Sequence, residues 1–110
     1  MTVAPALSTD LIATFFRGLA DPARLSCLLN LREQPRTVGE IVAETGLSQP
    51  NVSKHLACLR DCGLVTSERS GRFMIYRLAT PEVCDVLCAA ERVLEQVGQA
   101  VGDCPDYRVP

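Results

Sequence analysis

Tryptophan is absent from this 110-residue chain, histidine occurs once, and aromatic side chains make up only 5% of it. So few rings leave little surface for stacking unpaired bases, and a single imidazole leaves little for acid–base catalysis. No stretch approaches the run of about 18 apolar residues that spans a bilayer. The opening MTVAPALSTD has neither the charged start nor the apolar segment of an export signal, so a cytoplasmic location is expected. A Gly-rich phosphate loop, a C-x-x-C pair and a Cys/His nucleophile signature are also missing, which argues against an enzyme and against an organic cofactor. Internal repeats, low-complexity tracts and Gly/Ser linkers are lacking too, and the length suits one domain.

Cysteine is what the chain has in excess, with six residues. In an exported protein of this size they would suggest a disulfide framework; in a reducing compartment they point to thiols or metal ligands. The net charge of −2 argues against a general polyanion binder but hides an uneven distribution. Residues 48–78 carry one Lys and four Arg against Asp61 and Glu68, a balance of +3, between segments of −1 (residues 1–47) and −4 (residues 79–110).

Residues from about 8 to 20 predict an amphipathic helix with Leu11, Phe15 and Leu19 at fourfold spacing. Asp21-Pro22 opens a second helix to about Leu31, with the Asp as N-cap and the Pro at the first helical position. Thr37 and Glu40 form a capping box for a short third helix that Gly46 ends. Ser48 caps a fourth, QPNVSKHLACLRDC, stopped by Gly63. Two short helices joined by TGLS make a helix-turn-helix over about 37–62. L-V-T-S-E-R, the turn pair Ser70-Gly71 and R-F-M-I-Y-R-L read as a hairpin over about 64–78. The architecture expected is therefore mainly α with a small β-hairpin, a single winged helix-turn-helix domain. A long helix over about 80–101 carries Val83, Leu87, Ala90, Leu94, Val97 and Val101 on one seam, and a tail follows over 102–110. So small a domain cannot cover that seam alone, so the first and last helices are expected to bury it in a symmetric homodimer.

The second helix of a helix-turn-helix reads the major groove. Ser48, Gln49, Asn51, Ser53, Lys54 and His55 are its candidate DNA contacts, with His55 alternatively capping the core; Gln and Asn suit adenine, Ser and Lys phosphate or guanine. Arg60 at the helix end, with Arg69, Arg72 and Arg77 on the wing, suits phosphates or the minor groove.

These motifs resemble the ArsR/SmtB family of metal-responsive winged-helix repressors. The resemblance rests on L-A-D-P-A-R-L, L-S-Q-P-N-V-S-K-H-L-x-x-L-R, G-L-V and G-R-x-x-x-Y-R-L, and covers roughly residues 11 to 101. S-x-H-L-A-C-L-R-D-C-G-L-V is most similar to the CmtR-type cadmium and lead sensors. The arsenic sensors' C-x-C and the zinc sensors' paired His are lacking. The resemblance implies a dimeric repressor that holds double-stranded operator DNA when metal-free and leaves it when a soft ion binds, Cd(II) or Pb(II) first; thiolate ligation also suits Zn(II) or Hg(II).

Cys58 and Cys62, four apart on the fourth helix, lie one turn apart on one face. Spacing alone leaves open whether they hold a soft metal or pack as small hydrophobes; the resemblance implies ligands. Cys104, beyond a helix expected to break at Gly102 and Pro105, is the implied third ligand, reaching the other subunit. Cys84 and Cys88 repeat the fourfold spacing and are a second candidate pair, candidates to meet their symmetry mates, or packing residues beside Leu87. Cys27, among leucines, reads as core. An arsenite- or redox-responsive thiol switch of the same fold is the alternative.

Overall fold

The computed structural model describes residues 6–106. Five helices and three short strands follow in the order α1 (Thr9–Leu19), α2 (Pro22–Leu31), β1 (Arg36–Thr37), α3 (Val38–Thr45), α4 (Gln49–Asp61), β2 (Val65–Ser70), β3 (Phe73–Leu78) and α5 (Pro81–Asp103). Side-chain caps set most of the helix starts. Ser8 Oγ accepts from the Leu11 N–H, Asp21 Oδ1 from the Arg24 N–H and Ser48 Oγ from the Asn51 N–H. Thr37 and Glu40 form the reciprocal box: the Glu40 N–H donates to Thr37 Oγ1 and the Thr37 N–H to Glu40 Oε1. These bonds hold the Asp21 and Glu40 carboxyls below their ordinary values. Each contribution is complete above the ordinary carboxylate range and fades as pH falls through the lowered value.

Thr37→Ala removes one partner of that box. It is expected to destabilise the fold by about 1 kcal/mol, seen as a melting temperature lower by roughly 4–8 °C.

The sheet is antiparallel in the order β1-β3-β2, with Val65 opposite Leu78 and Ser70 opposite Phe73. That register makes Gly71-Arg72 the hairpin loop, one residue on from the expected Ser70-Gly71. Gly71 has φ 61° while Arg72 keeps a negative φ, so only the first loop position needs the left-handed region, as in a type II′ turn. The two-residue β1 was not foreseen: Arg36 and Thr37 pair with Tyr76 and Ile75, tying the start of α3 to the wing.

The core is built from Cys27, Leu28 and Leu31 of α2, Ile41 of α3, Val52, Leu56 and Leu59 of α4, Val65 of β2 and Leu87 of α5. Cys27 is thus core, as its setting among leucines suggests. α1 buries no residue fully, and α5 buries only Leu87. Leu11, Ile12 and Phe16 on α1 and Val93, Leu94, Val97 and Val101 on α5 stand exposed. The Cα radius of gyration, 15.3 Å, exceeds the roughly 13 Å of a compact chain of this length, because α5, about 34 Å long, projects from the core. α5 also runs through Gly102 to Asp103, two residues past the expected end. Among the described residues no helix is long and apolar enough to cross a membrane.

Candidate functional site

α3 and α4 are joined by Gly46, Leu47 and Ser48. Gly46 closes α3 at φ 73°, its N–H donating to the Val42 carbonyl, a conformation in which a Cβ would be strained. α4 then presents Val52, His55, Leu56 and Leu59 inward at the i, i+3, i+4, i+7 spacing of a buried stripe. The opposite face carries exposed Ser48, Gln49, Ser53, Lys54 and Arg60, with Asn51 half-buried at its edge.

His55 departs from the expected DNA set. It is 7% exposed, the one buried polar side chain in the described core, so its ring packs inward and is withdrawn from any groove the helix enters. Its position on the stripe is the reason: the residues that flank it in the helical period are all core.

The basic residues of the wing fall into two places. Arg69 and Arg72 are exposed beside the loop, the Arg72 guanidinium lying 5.9 Å from the Phe73 ring centre. Arg77 lies toward the base of β3, 3.6 Å from Glu68, which offsets part of its charge. Arg60 Nη1 donates to Ser67 Oγ at 3.4 Å, tying the end of α4 to β2.

Two cysteine pairs stand apart from one another. Cys58 is half-buried in the last turn of α4, and Cys62 caps that helix with its N–H donating to the Cys58 carbonyl at 3.0 Å. Cys62 opens onto an apolar groove of about 450 Å³ beneath α1, lined by Leu11, Ile12, Phe15 and Leu64 among others. Burial, then the neighbouring Cys58 thiol, raise the Cys62 pKa, while the Arg24 guanidinium opposes them. No local pattern singles out Arg24. Its Nη1 donates to the Gly18 carbonyl at 2.9 Å, which ties α2 to the end of α1, and its Nε is buried without a partner among the described residues. The only hint was its place in the L-A-D-P-A-R-L motif.

In the second pair, on the first turns of α5, Cys84 Sγ and Cys88 Sγ are 3.9 Å apart. Cys84 also lines a cleft of about 310 Å³ with Leu31 and Arg32 of α2's end and Arg77 and Leu78 of β3. Arg32 forms an ion pair with Glu91, a contact across 59 residues that no local pattern announces. Burial, then the Cys88 thiol, raise the Cys84 pKa, with Arg32 opposing.

Cys104 differs from expectation. Because α5 continues through Gly102, Cys104 is its half-buried C-cap, its N–H donating to the Val101 carbonyl, and is not part of a free tail. Residues 107–110 lie outside the described part. Among the described residues no three His, Cys, Asp or Glu side chains come together as a metal site, so one chain does not gather Cys58, Cys62 and Cys104.

A helix-turn-helix with a polar exposed second helix, followed by an antiparallel wing with arginines at its tip, defines a winged-helix DNA-binding protein. The chain belongs to the bacterial regulatory protein, arsR family, whose sequence profile matches residues 21–67, α2 through the start of the wing. It is 43% identical over 100 residues to a protein described as a probable mercury resistance operon repressor from Streptomyces lividans, covering 91% of this chain and 79% of that one. The crystal structure of Rv0081 from Mycobacterium tuberculosis is similar at a TM-score of 0.77 and 40% identity, over 83% of this chain and 92% of that one. The homodimeric winged helix-turn-helix domain of Mb0332 from Mycobacterium bovis matches at a TM-score of 0.71 and 27% identity, over 84% and 92%. Such relatives are regulators of transcription, not enzymes.

Proposed function

We propose that this chain is a homodimeric transcriptional repressor that holds operator DNA when metal-free and releases it when a soft thiophilic ion binds its cysteine thiolates. The observation that carries the reading is the position of Cys58 and Cys62 in the last turn of α4, the helix that offers its other face to DNA. An ion drawn to that pair acts on the reading element with nothing between them. The resemblance to CmtR-type sensors supports Cys104 as the third ligand, reaching the pair from the other subunit; among the described residues one chain does not bring it there.

The mercury-resistance description of the Streptomyces relative supports a soft-metal effector. The resemblance to CmtR-type sensors favours Cd(II) or Pb(II), and thiolates also accept Zn(II) and Hg(II). The exposed apolar residues of α1 and α5 form the dimer interface, as the homodimeric Mb0332 domain supports. Ser48, Gln49, Asn51, Ser53 and Lys54 read the major groove, while Arg60, Arg69, Arg72 and Arg77 meet phosphates or the minor groove. A protein of this function works in the cytoplasm.

The test is an anaerobic Cd(II) titration of the reduced protein, following near-ultraviolet thiolate-to-metal absorbance while fluorescence anisotropy reports operator binding. One ion per subunit and DNA release in step with it are expected. Absorbance and release that survive Cys58→Ser, Cys62→Ser and Cys104→Ser alike would overturn the reading.

Protons enter the same equilibrium. Since Cys62 is held above the ordinary thiol range, it keeps its proton near neutrality and the metal must displace it. Apparent Cd(II) affinity is therefore expected to rise with pH, by up to about tenfold per unit for each proton released. Competition titrations at three pH values from slightly acid to slightly alkaline check the sign.

A further inference from the structure

We infer that Cys84 and Cys88 form a second ion site, independent of the α4 site, that takes an ion satisfied by two soft ligands, of which Hg(II) is the type. The pair is already close: its sulfurs are 3.9 Å apart on consecutive turns of α5. Metal–thiolate bonds of about 2.3 Å give an S···S distance of roughly 3.8 Å at a tetrahedral angle and about 4.6 Å when linear, so small side-chain rotations cover the whole range. A disulfide fits much less well. Side chains at i and i+4 on a helix have Cβ atoms about 5–6 Å apart, whereas a disulfide needs about 3.8 Å. Oxidation would have to unwind the first turns of α5; metal ligation leaves them helical.

The surroundings select the ion's coordination number. Among the described residues no third His, Cys, Asp or Glu joins the pair. Glu91, three residues beyond Cys88, is held in the ion pair with Arg32, and Asp85, next to Cys84, does not complete a three-ligand group. Within one chain an ion that requires three or four protein ligands is therefore incompletely held, while one that prefers two is complete. Two thiolates and a divalent ion make a neutral complex, suited to a half-buried position; beside it Arg32 and Glu91 are paired with each other, and Asp85 adds a negative charge near Cys84. Each S–H loses its proton to solvent as the corresponding bond to the metal forms, and no electrons are transferred. The ion enters through the cleft of about 310 Å³ that Cys84 lines, between the end of α2, the base of β3 and the start of α5.

The test uses the full-length reduced protein carrying Cys58→Ser, Cys62→Ser and Cys104→Ser, which keeps only Cys27, buried in the core, and the α5 pair. Hg(II) is added in excess glutathione, so that only a chelating pair competes, and bound ion and free thiols are counted after desalting. One Hg(II) per chain is expected, with two thiols protected, and adding Cys84→Ser or Cys88→Ser should weaken retention at least about a hundredfold. The site is refuted if the triple variant holds no Hg(II) against glutathione, or if its retention is unchanged when Cys84 and Cys88 are replaced. Should the triple variant fail to fold, Cys84→Ser with Cys88→Ser in the otherwise unaltered chain must lower the Hg(II) count by one per chain; an unchanged count refutes the site equally. None of these outcomes depends on whether Cd(II) acting through Cys58, Cys62 and Cys104 releases DNA.

Discussion

Leu94→Asp combined with Val97→Asp is expected to leave the chain folded but monomeric and to lower operator affinity by at least about a thousandfold, the lower end of the usual ratio between specific and non-specific binding. Both side chains lie on the outer part of α5, 47% and 41% exposed, and neither belongs to the core, so a chain bearing carboxylates there keeps its packing. In a twofold interface each substituted position meets its own surroundings repeated by symmetry, so the new charges are buried near one another without partners. A monomer offers one α4 where the dimer offers two, and two recognition helices spaced to match half-sites about 34–36 Å apart are what convert weak contacts into a specific complex. Sedimentation gives the mass, far-ultraviolet circular dichroism the helix content, and anisotropy the affinity. A variant that stays dimeric would move the interface away from α5, and a monomer with undiminished affinity would remove the need for the dimer.

The same exposed residues show what sequence could and could not supply. Helix limits were legible because they are written in single residues with local physics: Ser8, Asp21-Pro22, Thr37 with Glu40, Gly46 and Ser48 each act within one turn of where they stand. The seam on α5 was legible from its period, and its outer residues Leu94, Val97 and Val101 stand exposed in the chain. β1 was not legible, since two residues carry no period and are strand only because β3 lies alongside them. Gly102 misled because a glycine late in a helix often ends it, yet here α5 passes through it. His55 leaves two readings open in the sequence, a groove contact and a core position. Its chemistry suggests a groove contact, but its place between Val52, Leu56 and Leu59 on the helical stripe fixes it inside. For the cysteines, fourfold spacing announced both pairs. That the α5 sulfurs lie 3.9 Å apart beside the Arg32–Glu91 ion pair depends on packing between distant segments, which spacing does not encode.

Cys62→Ser is expected to leave metal-free operator affinity within about twofold of the original and to abolish most of the response to Cd(II). The serine is nearly isosteric, Cys62 is exposed at the C-cap, and the bond its N–H donates to the Cys58 carbonyl comes from the backbone, so α4 ends as before. No candidate DNA contact is touched. What is lost is a thiolate, and with it the difference in metal affinity between the DNA-bound and free forms. That difference is the coupling, because an ion held equally by both forms shifts nothing. Typical couplings of about 1–3 kcal/mol correspond to a 5- to 150-fold loss of DNA affinity on metal binding; in the variant the ratio should fall below about threefold. Reciprocity supplies an internal check. Operator DNA must weaken Cd(II) binding to the unaltered protein by the same factor by which Cd(II) weakens operator binding, and must leave the variant's residual Cd(II) affinity nearly unchanged. Measuring both legs of the cycle separates a true loss of coupling from mere loss of metal. If the variant binds Cd(II) weakly but still releases DNA in proportion once the ion is saturating, the ligands that drive release lie elsewhere, and the last turn of α4 is only a place where the ion rests.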